Sequence, residues 1–228
     1  MGSSSCFYLG GSMTWSVLNI DELKKAVVIE KPFPYFVIDN IIRPEVLTEV
    51  VRGFPQIEQR GSFPIDAYPF SGKFETFIQE LQREELRDLI GEKFSMDLEE
   101  NPSTITLKGF TTERDGLIHV DSSTKLITVL IYLNLNWQAE GGKLRLLYNN
   151  KDLEPYAAEV APEAGRCLIF KVTKDCWHGH APFVGERHSI QLNYVTSEEA
   201  RDRHLKRHRF SAFMKKIFSK DREKEPAY

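Results

Sequence analysis

The chain has 228 residues, 41% of them hydrophobic, and a net charge of −3, which suffices for one sizeable core with an appended segment. There is no apolar run of about eighteen residues, so no membrane span is expected. The three cysteines, Cys6, Cys167 and Cys176, are too few and too scattered for a disulfide framework or a zinc knuckle. A reducing, cytoplasmic setting is the expectation.

The opening MGSSSCFYLGGS is small and polar around one short apolar patch. It lacks the basic start and long apolar stretch of a signal peptide. Residues 1–14 are therefore expected to be an added remnant or a disordered arm. Residues 15–100 are expected to supply an N-terminal strand and supporting helices. In FPYFVIDNIIRPEVLTEVVRGF, residues 33–54, Phe36, Val37 and Ile38 are strand formers. Pro44 can begin a helix in which Val46, Leu47, Val50 and Val51 recur at helical spacing. Residues 55–72 hold Pro55, Gly61, Pro64, Pro69 and Gly72 among aromatics, a loop suited to shaping a substrate surface. Over 74–94, Phe74, Phe77, Ile78, Leu81, Leu86, Leu89 and Ile90 predict helix.

Beyond Pro102 the pattern changes to short strands, predicted at 103–110, 117–121, 125–135, 143–149, 157–161, 166–172 and 187–196. Turn signals such as Asp115-Gly116, Gly141-Gly142 and Asn149-Asn150 separate them. Short strands at this spacing predict a β-sandwich or barrel over 101–197, with helices on one outer face. The tail, 198–228, is a basic helical segment. Residues 201–220 carry Arg201, Arg203, Lys206, Arg207, Arg209, Lys215, Lys216 and Lys220 against Asp202 alone, which leaves the remainder distinctly acidic. Phe210, Phe213, Met214, Ile217 and Phe218 would form an apolar stripe along that helix.

Chemistry concentrates in Ile118-His119-Val120-Asp121. On a strand, side chains two apart point to the same side, so His119 and Asp121 would converge. A second histidine further along would complete two imidazoles and a carboxylate, the facial set of non-haem iron oxygenases. His178 and His180, in Trp177-His178-Gly179-His180, both qualify. Downstream, Arg187, Ser189, Gln191 and Asn193 alternate with Ile190, Leu192 and Tyr194. A polar inward face is costly without partners, and a cavity with a bound anion would supply them, with Arg187 gripping a carboxylate. The apolar strand at 126–133 carries one phenolic hydroxyl, Tyr132, which needs a partner once buried.

HVDSSTKLITVLIYLNLNWQAEGGKLRLL, with GRCLIF, WHGHAP and RHSI after it, resembles the catalytic core of the prolyl-4-hydroxylase-like branch of the 2-oxoglutarate/Fe(II) oxygenase superfamily. FPYFVIDNIIRPEVL resembles the lead-in of the same branch. The resemblance covers roughly residues 31–197 and implies a mainly β fold with flanking α-helices, a double-stranded β-helix or jelly roll. It places the metal ligands on His119, Asp121 and His178. The last follows because His178 stands nine residues before Arg187 and four before Pro182, as the distal ligand does in close relatives. Tyr132, Arg187 and Ser189 would bind 2-oxoglutarate, while His180, Gln191, Asn193 and Trp177 would act behind the ligands or on substrate. Some relatives place another tyrosine on the strand before the first ligand, where this chain reads LKGFTTERDG. The resemblance implies Fe(2+) and 2-oxoglutarate, ascorbate as reductant, O2, and hydroxylation of an unidentified peptidyl residue or small molecule with release of succinate. A competing reading is a non-catalytic metal-binding jelly roll, a sensor or scaffold with a basic interaction tail. Nucleic acid is not an expected partner; the stripe of the C-terminal helix is expected to pack on the barrel or on a second subunit, the latter giving a homodimer.

Overall fold

A computed structural model describes residues 14–209. The expected leader and the apolar stripe from Phe210 onward lie outside the described residues. In chain order the elements are α1 (Ile20–Lys25), β1 (Tyr35–Ile38), α2 (Pro44–Arg52), β2 (Phe63–Pro64), α3 (Gly72–Leu81), α4 (Glu84–Lys93), β3 (Ser103–Thr111), β4 (Lys125–Tyr132), β5 (Leu144–Leu147), β6 (Tyr156–Val160), β7 (Cys167–Lys171), β8 (His178–Gly179) and β9 (Gly185–Val195). Residues 198–209 form a further helix, α5. No helix among the described residues is long and apolar enough to cross a membrane.

The strands form two antiparallel sheets, one in the order β1-β7-β4-β9-β3-β2 and one in the order β6-β5-β8. After β4 the chain crosses to the smaller sheet for β5 and β6, returns for β7, crosses for β8 and returns for β9. This is the double-stranded β-helix, and it is mainly β with helices on one outer face. Both edges of the large sheet, β1 and β2, come from the first hundred residues.

Alternation along the strands sorts side chains to the two faces of the large sheet. Ile127, Val129 and Ile131 of β4 and Ile190, Leu192 and Tyr194 of β9 join one core with Phe36, Val50, Phe74, Phe77 and Ile90 from the N-terminal strand and helices. A second core, between the sheets, holds Tyr35, Leu144, Leu146, Val160, Leu168, Phe170 and Cys176. The inner face is therefore apolar at one end only.

Two features of the N-terminal half escaped the sequence reading. Periodicity predicts one helical stretch over 74–94, but Gln82 and Arg83 interrupt it, and Arg83 is extended at ψ 143°. The break turns α4 so that Leu86 and Ile90 reach the same core as Leu81. Glu80, fully buried, accepts the backbone N–H groups of Ser16, Val17 and Leu18 and the Ser16 hydroxyl. Several charge-assisted bonds offset the desolvation of that carboxylate and fasten the N-terminal segment to α3.

Candidate metal and keto-acid site

The segment 117–121 is not the strand that its composition predicts. It is irregular, with one isolated bridge between His119 and His178. The smaller sheet ends at β8, and this bridge adds His119 beside it. The nearest ligand atoms of His119, Asp121 and His178 lie within 4.8 Å of one another, the one such histidine–carboxylate group found among the described residues. His119 and Asp121 come together through the loop that the bridge anchors, not through strand alternation.

Each imidazole is oriented by the backbone two residues before it. His119 Nδ1 lies 2.8 Å from the Leu117 carbonyl, and His178 Nδ1 lies 2.8 Å from the Cys176 carbonyl. A carbonyl can only accept, so Nδ1 carries a proton in both rings and Nε2 is the atom left to meet a metal. Burial and the His119 ring beside it lower the His178 pKa to about 4, against the pull of Asp121, so this ring is neutral at physiological pH. Asp121 is held at both oxygens. Lys125 Nζ stands 2.8 Å from Oδ1, and the Thr128 hydroxyl donates to Oδ2 at 2.6 Å. Burial alone would raise this carboxyl, but the Lys125 ammonium, His178 and the two hydrogen bonds outweigh it and the pKa is lowered. Two imidazoles and one ionised carboxylate suit a divalent iron ion, and the carbonyls behind the rings are the outer partners that metal-bound histidines use.

A cavity of about 210 Å³ opens from these three residues along the inner face of the large sheet. Thr128, Leu130 and Tyr132 of β4, Arg187, Ser189 and Gln191 of β9, and Thr106 and Lys108 of β3 line it, with Ser62, Gly116 and His180 at its margins. Arg187 is 5% exposed and has no ion-pair partner among the described residues. Its Nε donates to the carbonyl of Gly142 at 2.9 Å. Gly142 adopts φ +78°, a conformation suited to glycine, and an added Cβ would strike Trp137. The guanidinium carbon lies 5.1 Å from the centre of the Tyr132 ring. The Tyr132 hydroxyl is buried without a hydrogen-bond partner. Burial raises its pKa, while Arg187 opposes the rise. An unpaired guanidinium, an unpartnered phenol and the Ser189 hydroxyl at one end of a cavity fit the far carboxylate of a keto acid.

The other predicted residues fall into two groups. Gln191 and Asn193 stand behind the ligands: Gln191 Nε2 donates to Asn193 Oδ1 at 3.0 Å, and Asn193 Oδ1 is 3.1 Å from the Thr128 hydroxyl. His180 borders the cavity, but its Nδ1 faces the Ala181 carbonyl and the ring packs over Gly116. Burial and then Arg187 lower its pKa to about 4. Trp177 does not border the cavity; its carbonyl accepts from Leu147, which directs this residue to the smaller sheet. Cys176, just before His178, is fully buried between the sheets. Lys108, Lys125 and Thr128 were missed. Thr128 had a readable signal, since it is the polar residue of an apolar strand and shares a face with Tyr132.

Residues 109–195 match the model of the 2OG-Fe(II) oxygenase superfamily. No curated protein matches the chain. Among solved structures, a prolyl-4-hydroxylase from Pseudomonas putida superposes with a TM-score of 0.52 at 19% identity, over 77% of this chain and 96% of that one. The viral collagen prolyl hydroxylase of Paramecium Bursaria Chlorella virus-1 gives 0.50 at 15% identity, over 72% and 95%. At these identities the likeness is one of fold.

Proposed function

From the premise that residues 109–195 are a 2OG-Fe(II) oxygenase domain and the chain a 2-oxoglutarate- and iron-dependent dioxygenase, we propose that His119, Asp121 and His178 hold its iron and that it hydroxylates a peptidyl residue or a small molecule. The observation that carries the assignment is the grouping of one ligand atom each from His119, Asp121 and His178 within 4.8 Å of one another, beside a cavity that all three line. When bound there, iron(II) with 2-oxoglutarate supplies decarboxylation of the keto acid to succinate and transfer of one oxygen atom of O2 to a substrate C–H bond.

The chain's own residues position and shield that chemistry. Leu117 and Cys176 fix the histidine tautomers. Thr128 and Lys125 orient the Asp121 carboxylate. Arg187, Tyr132 and Ser189, which line the cavity with the three candidate ligands, would receive the far carboxylate of 2-oxoglutarate. Leu130 and Leu144 provide apolar wall between the two ends. Substrate enters past Ser62 and Gly116, which belong to the segments 55–72 and 111–118 that select it. Ascorbate would be the reductant for such an iron site.

The test is succinate formation by the full chain with iron(II), 2-oxoglutarate and a cell extract, with mass spectrometry for oxygen incorporation into extract components. Asp121→Ala is expected to abolish both signals. Unchanged keto-acid turnover in that variant would reject the ligand assignment.

A further inference from the structure

We propose that Lys108 is a second cation for the far carboxylate of 2-oxoglutarate, acting across the cavity end with Arg187. The proposal rests on the reading of Arg187 and Tyr132 given above. Lys108 on β3 is the cross-strand partner of Ser189 on β9, and Ser189 is opposite Tyr132 on β4. Lys108, Ser189 and Tyr132 thus form one row across three strands. Arg187 stands one same-face step along β9, and all four side chains line the same cavity.

Charge at this end of the cavity is unbalanced. Lys108 Nζ stands 2.7 Å from Asp115 Oδ1, and its side chain is 22% exposed. Asp115 does not belong to Lys108 alone. Its other oxygen accepts from Arg60 Nε at 3.1 Å, from the Thr112 backbone N–H at 2.9 Å and from the Thr112 hydroxyl. Two cations share one carboxylate, and Arg187 brings a third positive charge with no ion-pair partner among the described residues. Like charges set in a low-dielectric wall repel. Burial lowers the Lys108 pKa, against Asp115, and the nearby Arg187 and Arg60 charges depress it further. An anion between Lys108 and Arg187 relieves both cations. A carboxylate has lone pairs for several donors, and Arg187, the Tyr132 and Ser189 hydroxyls and the Lys108 ammonium supply them. The alternative role for Lys108 is purely local, to fasten residues 112–116 through Asp115.

A binding measurement separates the two roles. The full chain loaded with Mn2+ is titrated calorimetrically with 2-oxoglutarate and with 2-oxopentanoate, which keeps the keto-acid end and the carbon count but lacks the far carboxylate. Lys108→Met is expected to weaken 2-oxoglutarate binding by about tenfold or more, as loss of a charge-assisted hydrogen bond does. It should leave 2-oxopentanoate and Mn2+ affinity unchanged, and Lys108→Arg should recover much of the loss. Unaltered 2-oxoglutarate affinity in Lys108→Met, or an equal loss for both keto acids, would overturn the proposal. Asp115→Asn loosens the loop and keeps the ammonium, so it should retain most of the 2-oxoglutarate affinity; a loss as large as that of Lys108→Met would reduce Lys108 to a loop anchor. A wild-type chain that takes Mn2+ yet binds no 2-oxoglutarate would reject the underlying site reading as well.

Discussion

His119 and His178 exchange both backbone hydrogen bonds, each N–H donating to the other's carbonyl at 3.0 Å. The separation of two candidate ligands from distant parts of the chain is thereby set by the backbone and not by side-chain packing. Gly179 makes this approach feasible, because an added Cβ would lie 2.8 Å from the Gly116 carbonyl oxygen and 3.2 Å from the Ile118 backbone. Gly179→Ala must push the 116–119 loop away from β8. The expected result is a fall in Mn2+ affinity of about tenfold or more, the size seen when groups behind metal ligands are disturbed. Titration monitored by electron paramagnetic resonance checks it.

Thr128 donates to the Asp121 oxygen that Lys125 does not contact. Thr128→Val keeps the shape of the side chain and removes the hydroxyl, leaving that oxygen and Asn193 Oδ1 each short of a neighbour. Metal affinity is expected to drop by about ten- to a hundredfold, with Thr128→Ser restoring most of it. An unaltered affinity in the valine variant would show that Lys125 alone orients the carboxylate.

Tyr132 gives opposite signs in two measurements. Its hydroxyl is buried without a partner in the protein, so Tyr132→Phe removes an unsatisfied group. Thermal stability of the ligand-free chain should be unchanged or higher by up to about 1–3 kcal/mol. On the proposed role of that hydroxyl as a donor to the bound carboxylate, the KM for 2-oxoglutarate should nonetheless rise. A loss of stability with no change in KM would make Tyr132 a packing residue.

Acid should destabilise the metal-free protein through buried imidazoles. His178, His180 and His208 have pKa values lowered to about 4 from 6.5, in each case chiefly by burial. As pH falls below about 6.5, the unfolded chain binds protons that the folded chain does not bind until near 4. Their contribution to stability is therefore complete above that range and is lost as pH falls through it. Melting temperatures recorded from pH 7.5 to 5 should decline, and His180→Gln should shallow the decline.

Much of the candidate site was legible because face and period are local properties. The alternation of Arg187, Ser189, Gln191 and Asn193 with Ile190, Leu192 and Tyr194 assigned polar and apolar faces, and the structure puts the first three polar side chains on the cavity and the apolar ones in the outer core. Val46, Leu47, Val50 and Val51 after Pro44 marked α2, which runs Pro44–Arg52. The turn at Gly141-Gly142 was readable too, though not the hydrogen bond it offers Arg187.

What the sequence by itself determined, then, is which residues share a face and which chemistry they carry. Only the tertiary structure decided which faces meet. His119 and Asp121 were expected to converge by strand alternation, yet their segment is irregular and converges because a bridge to His178 holds it. Between His178 and His180, residue spacing and resemblance favoured the former; in the fold His178 stands with His119 and Asp121, while His180 turns toward Gly116. Lys108, Lys125 and Thr128 enter the site through cross-strand register and a loop return, and Glu80 is stabilised by backbone donors more than sixty residues earlier. Periodicity encodes the direction of a side chain relative to its own strand or helix. Register and sheet order arise from packing the two cores at once, and that information is spread over the whole chain.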